Sequence, residues 1–235
     1  MKGSAPCAWG LADALPVIGE RVERSRAFWD WFEFEPDYWM LTQTTHMNTL
    51  EKFFGKCENY YAIDGEEFPP RALVRGTRDG VIYGITAGVS LIPMPEVEMW
   101  YGDDYRDHRR IELGFAVAAS HEELCSRMYS CLSSLAAYPW KEITFLGHGH
   151  TIPSQVIKGY EAFLLVDPRL APGLETPEYE SCREDPVNLL WVVPITGAEY
   201  QFVAEHDIDE MLRHVKGDFA RLHVFDGAPK FWGVE

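Results

Sequence analysis

The chain has no apolar run near the ~20 residues that cross a bilayer, no low-complexity tract and no internal repeat. Its first ten residues hold one Lys and no apolar core of a secretion signal, so a cytoplasmic protein is expected. Cysteine is sparse and unpatterned. Five residues (Cys7, Cys57, Cys125, Cys131, Cys182) give an odd count without a C-x-x-C pair, which supports neither a disulfide framework nor a zinc knuckle. Positive charge is scarce as well, with 21 Lys and Arg against 37 Asp and Glu and a formal charge of −16. A nucleic-acid binder needs cations to displace counterions from phosphate, so direct DNA or RNA binding is disfavoured. An acidic surface instead attracts basic partners and speeds their encounter, although many acidic proteins are charged only for solubility.

What is present belongs to a compact globular chain: 46% hydrophobic residues, 14% aromatic and eight Trp in 235 residues. That length suits one sizeable core. Helical spacing marks 19–34 and 45–54, the second closed by Gly55. Strand patterns fall at 60–63, 71–74, 81–86, 110–117, 143–146, 162–166 and 187–194, and a last strand closes somewhere in 219–225. Asp79-Gly80 between two strand patterns is a hairpin signal. Ser120-x-x-Glu123 and Thr196-x-x-Glu199 read as capping boxes, the first opening a helix that stops near Ala137 ahead of Pro139. Asp207-x-x-Glu210 begins a further helical turn. Residues 167–186, rich in Pro and Glu, read as a long exposed loop. Strands outnumber helices and many connections are short, which makes the chain α+β: one domain with a mixed or antiparallel sheet flanked by helices. Ile111, Leu113, Phe115, Leu189, Trp191 and Val193 are expected on its surfaces. Glu112 is expected to face away from the core, and Asp103, Asp104, Arg109 and Arg110 to form a solvated loop.

The chemically richest stretch follows the 143–146 pattern, in Gly147, His148, Gly149, His150, Thr151 and Pro153. Two glycines let the backbone turn or approach a ligand closely, and polar side chains on such a loop often make a recognition site. His148 and His150 also raise a metal-dependent hydrolase as an alternative, since two imidazoles can share a zinc ion. No third ligand follows at recognisable spacing, His108 lying apart in the charged run 103–110, so no metal and no cofactor are expected. Gly88-Val89-Ser90 opens like a nucleophile elbow but lacks the closing glycine, and Pro93 follows where a helix should run. No phosphate-binding or dinucleotide-binding glycine pattern is present. The Trp29, Trp31, Phe32 and Phe34 cluster reads as core, with Trp31 and Trp39 suited to an interface.

Several blocks together resemble the Suppressor of Fused family. Ile85-Thr86-Ala87-Gly88-Val89-Ser90-Leu91-Ile92-Pro93-Met94 looks like the T-x-G-x-S block of its bacterial branch. Arg110-Ile111-Glu112-Leu113-Gly114-Phe115 resembles its R-x-E-L strand, and Gly149-His150-Thr151-Ile152-Pro153 its G-H-T-x-P loop after Tyr138-Pro139-Trp140. The run from Val187 to Tyr200 is similar to its hydrophobic strand and following helix, and Asp209-x-Met211-Leu212 to the pattern that ends it. The resemblance spans about 60–215 and implies the N-terminal domain fold of that family, without catalysis. It suggests three segments: a helical extension packed on the domain at 1–40, the family domain at 41–217, and a terminal strand or tail at 218–235. The animal member clamps an extended peptide, partly by strand addition. Bacterial members are read as immunity proteins that neutralise a co-encoded toxin, frequently a nuclease. The resemblance thus implies a non-enzymatic protein-binding module, best fitted to an immunity (antitoxin-like) role against a basic toxin domain. A general adaptor for an extended peptide is the other binding alternative. The expected contact residues are Gly147, His148, Gly149, His150, Thr151, Pro153 and Ser90.

Overall fold

The computed structural model describes residues 36–63, 69 and 71–231. The chain divides at Phe34 and Glu35 into two units, and the second carries everything below. The expected helix at 19–34, its aromatic cluster and the packing of the N-terminal extension lie outside the described residues, as do the side chain of Trp39 and residues 232–235.

Helix α1 (Pro36–Phe54) leads into strands β1 (Asn59–Ile63), β2 (Arg71–Arg78) and β3 (Val81–Ala87). The β2–β3 connection is the expected two-residue turn, with positive φ at both Asp79 (51°) and Gly80 (74°). That is the backbone twist a tight hairpin requires. A short helix α2 (Val97–Tyr101), β4 (Ile111–Ala118) and the long α3 (Cys125–Glu142) follow. Then come β5 (Thr151–Pro153), β6 (Ala162–Val166), β7 (Asn188–Ile195), α4 (Gly197–Glu205), α5 (Ile208–Leu212) and β8 (Val224–Phe225). The sheet order is β1-β2-β3-β4-β7-β6-β5, with β8 also pairing β4. β4 runs parallel to β7 and β8, and every other pairing is antiparallel. This is a mixed eight-stranded sheet with helices, the expected α+β arrangement. No described helix is long and apolar enough to cross a membrane.

Both faces of the sheet are covered across its central strands, while the edge strand β1 stays exposed at Tyr60 and Tyr61. Tyr83, Ile85, Leu164, Trp191 and Val193 join Leu50 and Phe54 of α1 and Met211 and Leu212 of α5 in one core. Leu113, Phe115, Phe163, Leu165 and Leu190 meet Met128, Leu132 and Leu135 of α3 in the other. All eight residues of β7 are buried, as an unbroken apolar strand in a covered sheet should be. The six residues expected on the sheet therefore sit on opposite faces, Leu189, Trp191 and Val193 on one and Ile111, Leu113 and Phe115 on the other.

Double coverage overturns the expectation for Glu112. The strand does alternate, but the face opposite Leu113 and Phe115 is not solvent, and Glu112 is completely buried. Its Oε2 accepts from the Thr86 hydroxyl at 2.6 Å. Its Oε1 accepts from the Gly88 N–H (2.9 Å), the Ser90 N–H (3.1 Å) and the Ser90 hydroxyl (2.7 Å). His46 Nδ1, on α1, lies 3.2 Å from Oε1 but out of line for a hydrogen bond. Gly88, at φ 110°, aims the backbone donors inward in a conformation open to glycine alone without strain. The residues of the T-x-G-x-S block thus wrap a carboxylate supplied by the R-x-E-L strand. Arg110 completes the lock by donating to the carbonyls of Ser90 (2.9 Å) and Leu91 (2.6 Å).

Of the expected solvated loop, Asp103 and Asp104 are exposed, but Arg109 and Arg110 are not free in solvent. Arg106, Arg109 and Arg110 all hydrogen-bond the Asp185 carboxylate, at 2.7–2.8 Å, and Asp185 has no exposed surface. Burial alone would raise the Asp185 pKa, but these three guanidinium groups outweigh it and hold the carboxyl below its ordinary value. They pin the long 167–186 segment to the start of β4.

Three further expectations fail for local reasons. Ser120 caps nothing, because 119–124 winds as a 3-10 turn before α3 begins at Cys125. The helix then runs through Pro139 to Glu142, since the ring is buried in the core and costs only one backbone hydrogen bond. Ile143 ends it at φ 51°, strained for a β-branched residue, and 143–146 forms no strand. Thr196 and Glu199 do form the expected reciprocal capping box.

Candidate functional site

The glycine–histidine loop lies between the end of α3 and β5, an edge of the sheet. Its backbone is stitched to β6: the Gly149 N–H donates to Leu165 O (2.8 Å), and the Leu165 N–H donates to His150 O (2.9 Å). Gly149 has φ 81°, and an added Cβ there would stand 3.0 Å from Ile208 Cγ2. We expect Gly149→Ala to lower stability by about 1–2 kcal/mol, read as a fall in the urea midpoint at unchanged slope. An unchanged midpoint would show that the loop relaxes freely.

The two histidines do different things. His148 Nδ1 accepts the Asp167 backbone N–H at 2.9 Å. The acceptor nitrogen carries no proton, so the neutral ring carries its proton on Nε2. That Nε2 is buried and has no partner. His150 packs against the Phe145 ring, centroids 5.0 Å apart. Burial lowers the pKa of both, against the pull of Asp167 and Asp209 on His148 and reinforced on His150 by its neighbour His148. Burial thus favours the neutral form of both rings. With His148 Nδ1 already occupied, the zinc alternative loses a ligand atom, and no group of three His, Cys, Asp or Glu suited to a metal occurs among the described residues.

Around the loop the fold gathers residues from distant segments. A cavity of about 160 Å³ is lined by Tyr101, His108, Gly147, His148, Asp167, Arg169 and Asn188, with Ile111, Leu146, Leu170 and Leu190 as its apolar wall. Tyr101 stacks on His108 at 3.8 Å, and Phe145 lies 5.8 Å from Tyr101 and 6.0 Å from Trp100. Arg169 is occupied by Asp167, its closest contact being 2.7 Å. Asn188 donates through Nδ2 to Asp107 O at 2.6 Å, and its buried Oδ1 has no partner. Each orphaned buried group forfeits about 1–3 kcal/mol of hydrogen bonding.

Beside this cavity the surface is apolar and acidic. Met99 (39%), Trp100 (55%) and Leu170 (53%) are large exposed hydrophobic residues. Glu98, Asp103, Asp104 and Asp107 are exposed nearby, and no ion pair among the described residues engages their side chains.

Of the residues expected at a contact, Gly147 and His148 line the cavity, while Gly149, His150, Thr151 and Pro153 carry the chain from it to the sheet edge. Ser90 does not belong with them. It is fully buried, with its hydroxyl spent on Glu112, so no partner reaches it. Tyr101, Asp167, Arg169 and Asn188 carried no local signal, because only the sheet order brings their segments to the loop.

The fold is a mixed sheet with a polar cavity at the ends of β4 and β7 and an exposed Trp100 in the neighbouring segment. The chain belongs to the Suppressor of Fused family: the family described as Suppressor of fused protein (SUFU) matches residues 68–226, more than half of its length. A comparison with curated proteins found no match.

Proposed function

We propose that this chain is a non-enzymatic protein-interaction module of the immunity type, which neutralises a basic toxin domain such as a nuclease. The observation that supports the reading is the exposure of Met99, Trp100 and Leu170 in segments that flank the loop cavity, together with exposed Glu98, Asp103, Asp104 and Asp107, which make no ion pair among the described residues. An exposed Trp beside other large apolar side chains is a usual centre of a binding hot spot. The carboxylates and the net charge of −16 suit a cationic partner. Family membership supports protein binding in general, and the toxin is the specific step proposed.

The test is a search of the neighbouring genes for a toxin with a basic C-terminal domain, followed by binding kinetics against that domain at two salt concentrations; neighbouring genes without such a toxin would overturn the reading. Association should slow as salt rises, because the acids steer encounter through a screened field. Trp100→Ala should weaken affinity by at least about 2 kcal/mol, the scale of a hot-spot aromatic, without changing the melting temperature. His150→Ala should weaken it less. Salt-independent association together with an unchanged Trp100→Ala affinity would overturn the reading.

A further inference from the structure

The two halves of α1 are held on the sheet by different chemistry. Five of its described side chains are buried, and they recur at helical spacing: Thr42, His46, Thr49, Leu50 and Phe54. The second half is seated by apolar contact. Leu50 and Phe54 join the core, the Phe53 ring meets Tyr83 at 5.3 Å, and Arg78 Nη1 donates to the Phe53 carbonyl at 3.0 Å. The first half is seated by polar groups that are poorly answered. His46 Nδ1 lies 3.2 Å from Glu112 Oε1 without a hydrogen bond, and Gln43 Nε2 is buried with no partner among the described residues. Met40 and Leu41, in the same half, are exposed. Helix α3, on the other face of the sheet, buries no hydroxyl, amide or charged side chain.

Local propensity points the same way. Residues 42–49 hold four Thr, one His and one Asn, all weaker helix formers than Ala, Leu or Glu. The Thr44 and Thr45 hydroxyls donate to the carbonyls four residues back, Met40 O at 2.8 Å and Leu41 O at 3.0 Å, bonds that compete with the helix ladder. This stretch is helical because the sheet holds it, and the sheet holds it weakly. We propose that the first half of α1 is a lid over the Glu112 carboxylate, which opens as a unit at a hinge near 47–49 while the second half and the sheet stay closed. Segments that open below the global unfolding free energy are those with few buried apolar contacts. Opening takes His46 off Glu112 and admits water to a carboxylate that is otherwise completely buried and that organises Gly88 and Ser90. The lid gives the domain two states, sealed and hydrated at Glu112, whose balance any ligand that prefers one of them will shift. Its opening is a property of the free chain and does not depend on the partner proposed above.

The experiment is native-state hydrogen exchange of the whole chain, read residue by residue by NMR across a series of low urea concentrations. Amides 42–47, whose acceptors lie inside the helix, should share one level of protection, at least about 100-fold below amides 51–54 and those of β4 and β7. Their exchange should depend little on urea, because a small opening exposes little surface. Equal protection along α1 would overturn the proposal. So would exchange of 42–47 that rises with urea as steeply as that of the sheet, or a smooth gradient from Pro36, which is the pattern of end fraying. Thr44→Ala with Thr45→Ala removes the two competing hydroxyls and raises helix propensity at positions that are not buried. It should slow exchange of 42–47 by about fivefold and leave β4 and β7 unchanged. The Gly88 and Ser90 amides, which donate to Glu112, should exchange through the same opening and slow with it. An unchanged rate at 42–47 in this variant, or slowing there that Gly88 and Ser90 do not follow, would also overturn the proposal.

Discussion

Replacing Glu112 with Ala should destabilise the protein by about 3–5 kcal/mol, the cost of removing one side of a buried polar cluster. The magnitude follows from what is stranded. Four hydrogen-bond donors (the Thr86 and Ser90 hydroxyls and the Gly88 and Ser90 N–H groups) would lose their acceptor in a region closed to water. His46 would lose the carboxylate beside it, which loosens α1 as well. Glu112→Gln keeps the volume and one oxygen for the three donors at Oε1, while its amide can donate to Thr86, so it should recover more than half of the loss. Denaturant unfolding of both variants measures this. If Ala and Gln cost the same, charge rather than acceptor geometry holds the cluster together. Ser90→Ala added to Glu112→Ala should cost far less than Ser90→Ala alone, because the two share one network.

Acid should unfold this protein from about pH 6.5 downward, well before its carboxylates titrate, and His223 should cause most of it. The ring is 2% exposed, lies against Trp191 at 4.3 Å, and has no hydrogen bond on either nitrogen. Burial pushes its pKa from 6.5 down to about 3, and Arg221 and Lys230 push in the same direction. In the folded chain the ring stays unprotonated until about pH 3, whereas in the unfolded chain it takes a proton below about 6.5. Between those limits the unfolded state binds more protons, so stability is full above 6.5 and falls with pH, by an amount on the order of 4–5 kcal/mol across the window. His148 and His150, also lowered, add in the same sense. Asp185 acts separately, since its lowered carboxyl loses its contribution only below about pH 4. His223→Leu should hold stability at pH 7.5 and flatten the slope between pH 6.5 and 4.5. A slope unchanged in that variant would assign acid unfolding to the loop histidines instead.

The sequence by itself determined what depends on near neighbours. Asp79-Gly80 specified its turn because a two-residue hairpin needs positive φ, and Thr196 with Glu199 specified a helix start because the bonds span three residues. Periods of two in 110–117 and an unbroken apolar run in 187–194 gave strands, and the glycines and histidines of 147–150 marked the loop that flanks the cavity. The tertiary structure alone decided what each face meets. Alternation shows that Glu112 opposes Leu113, but whether that second face touches water or α1 depends on a helix nearly sixty residues away. The same holds for Arg109 and Arg110, which would be solvated without Asp185 some seventy-five residues on. Residues 143–146 alternate without forming a strand, because Phe145 and Leu146 are buried as loop residues and Ile143 turns the chain out of a helix. The cavity had no linear signature, since Tyr101, His148, Asp167 and Asn188 meet only when β4, β6 and β7 lie side by side. Backbone geometry is local and leaves its mark in a few consecutive residues; burial and charge pairing are properties of a filled volume, which only the closed sheet defines.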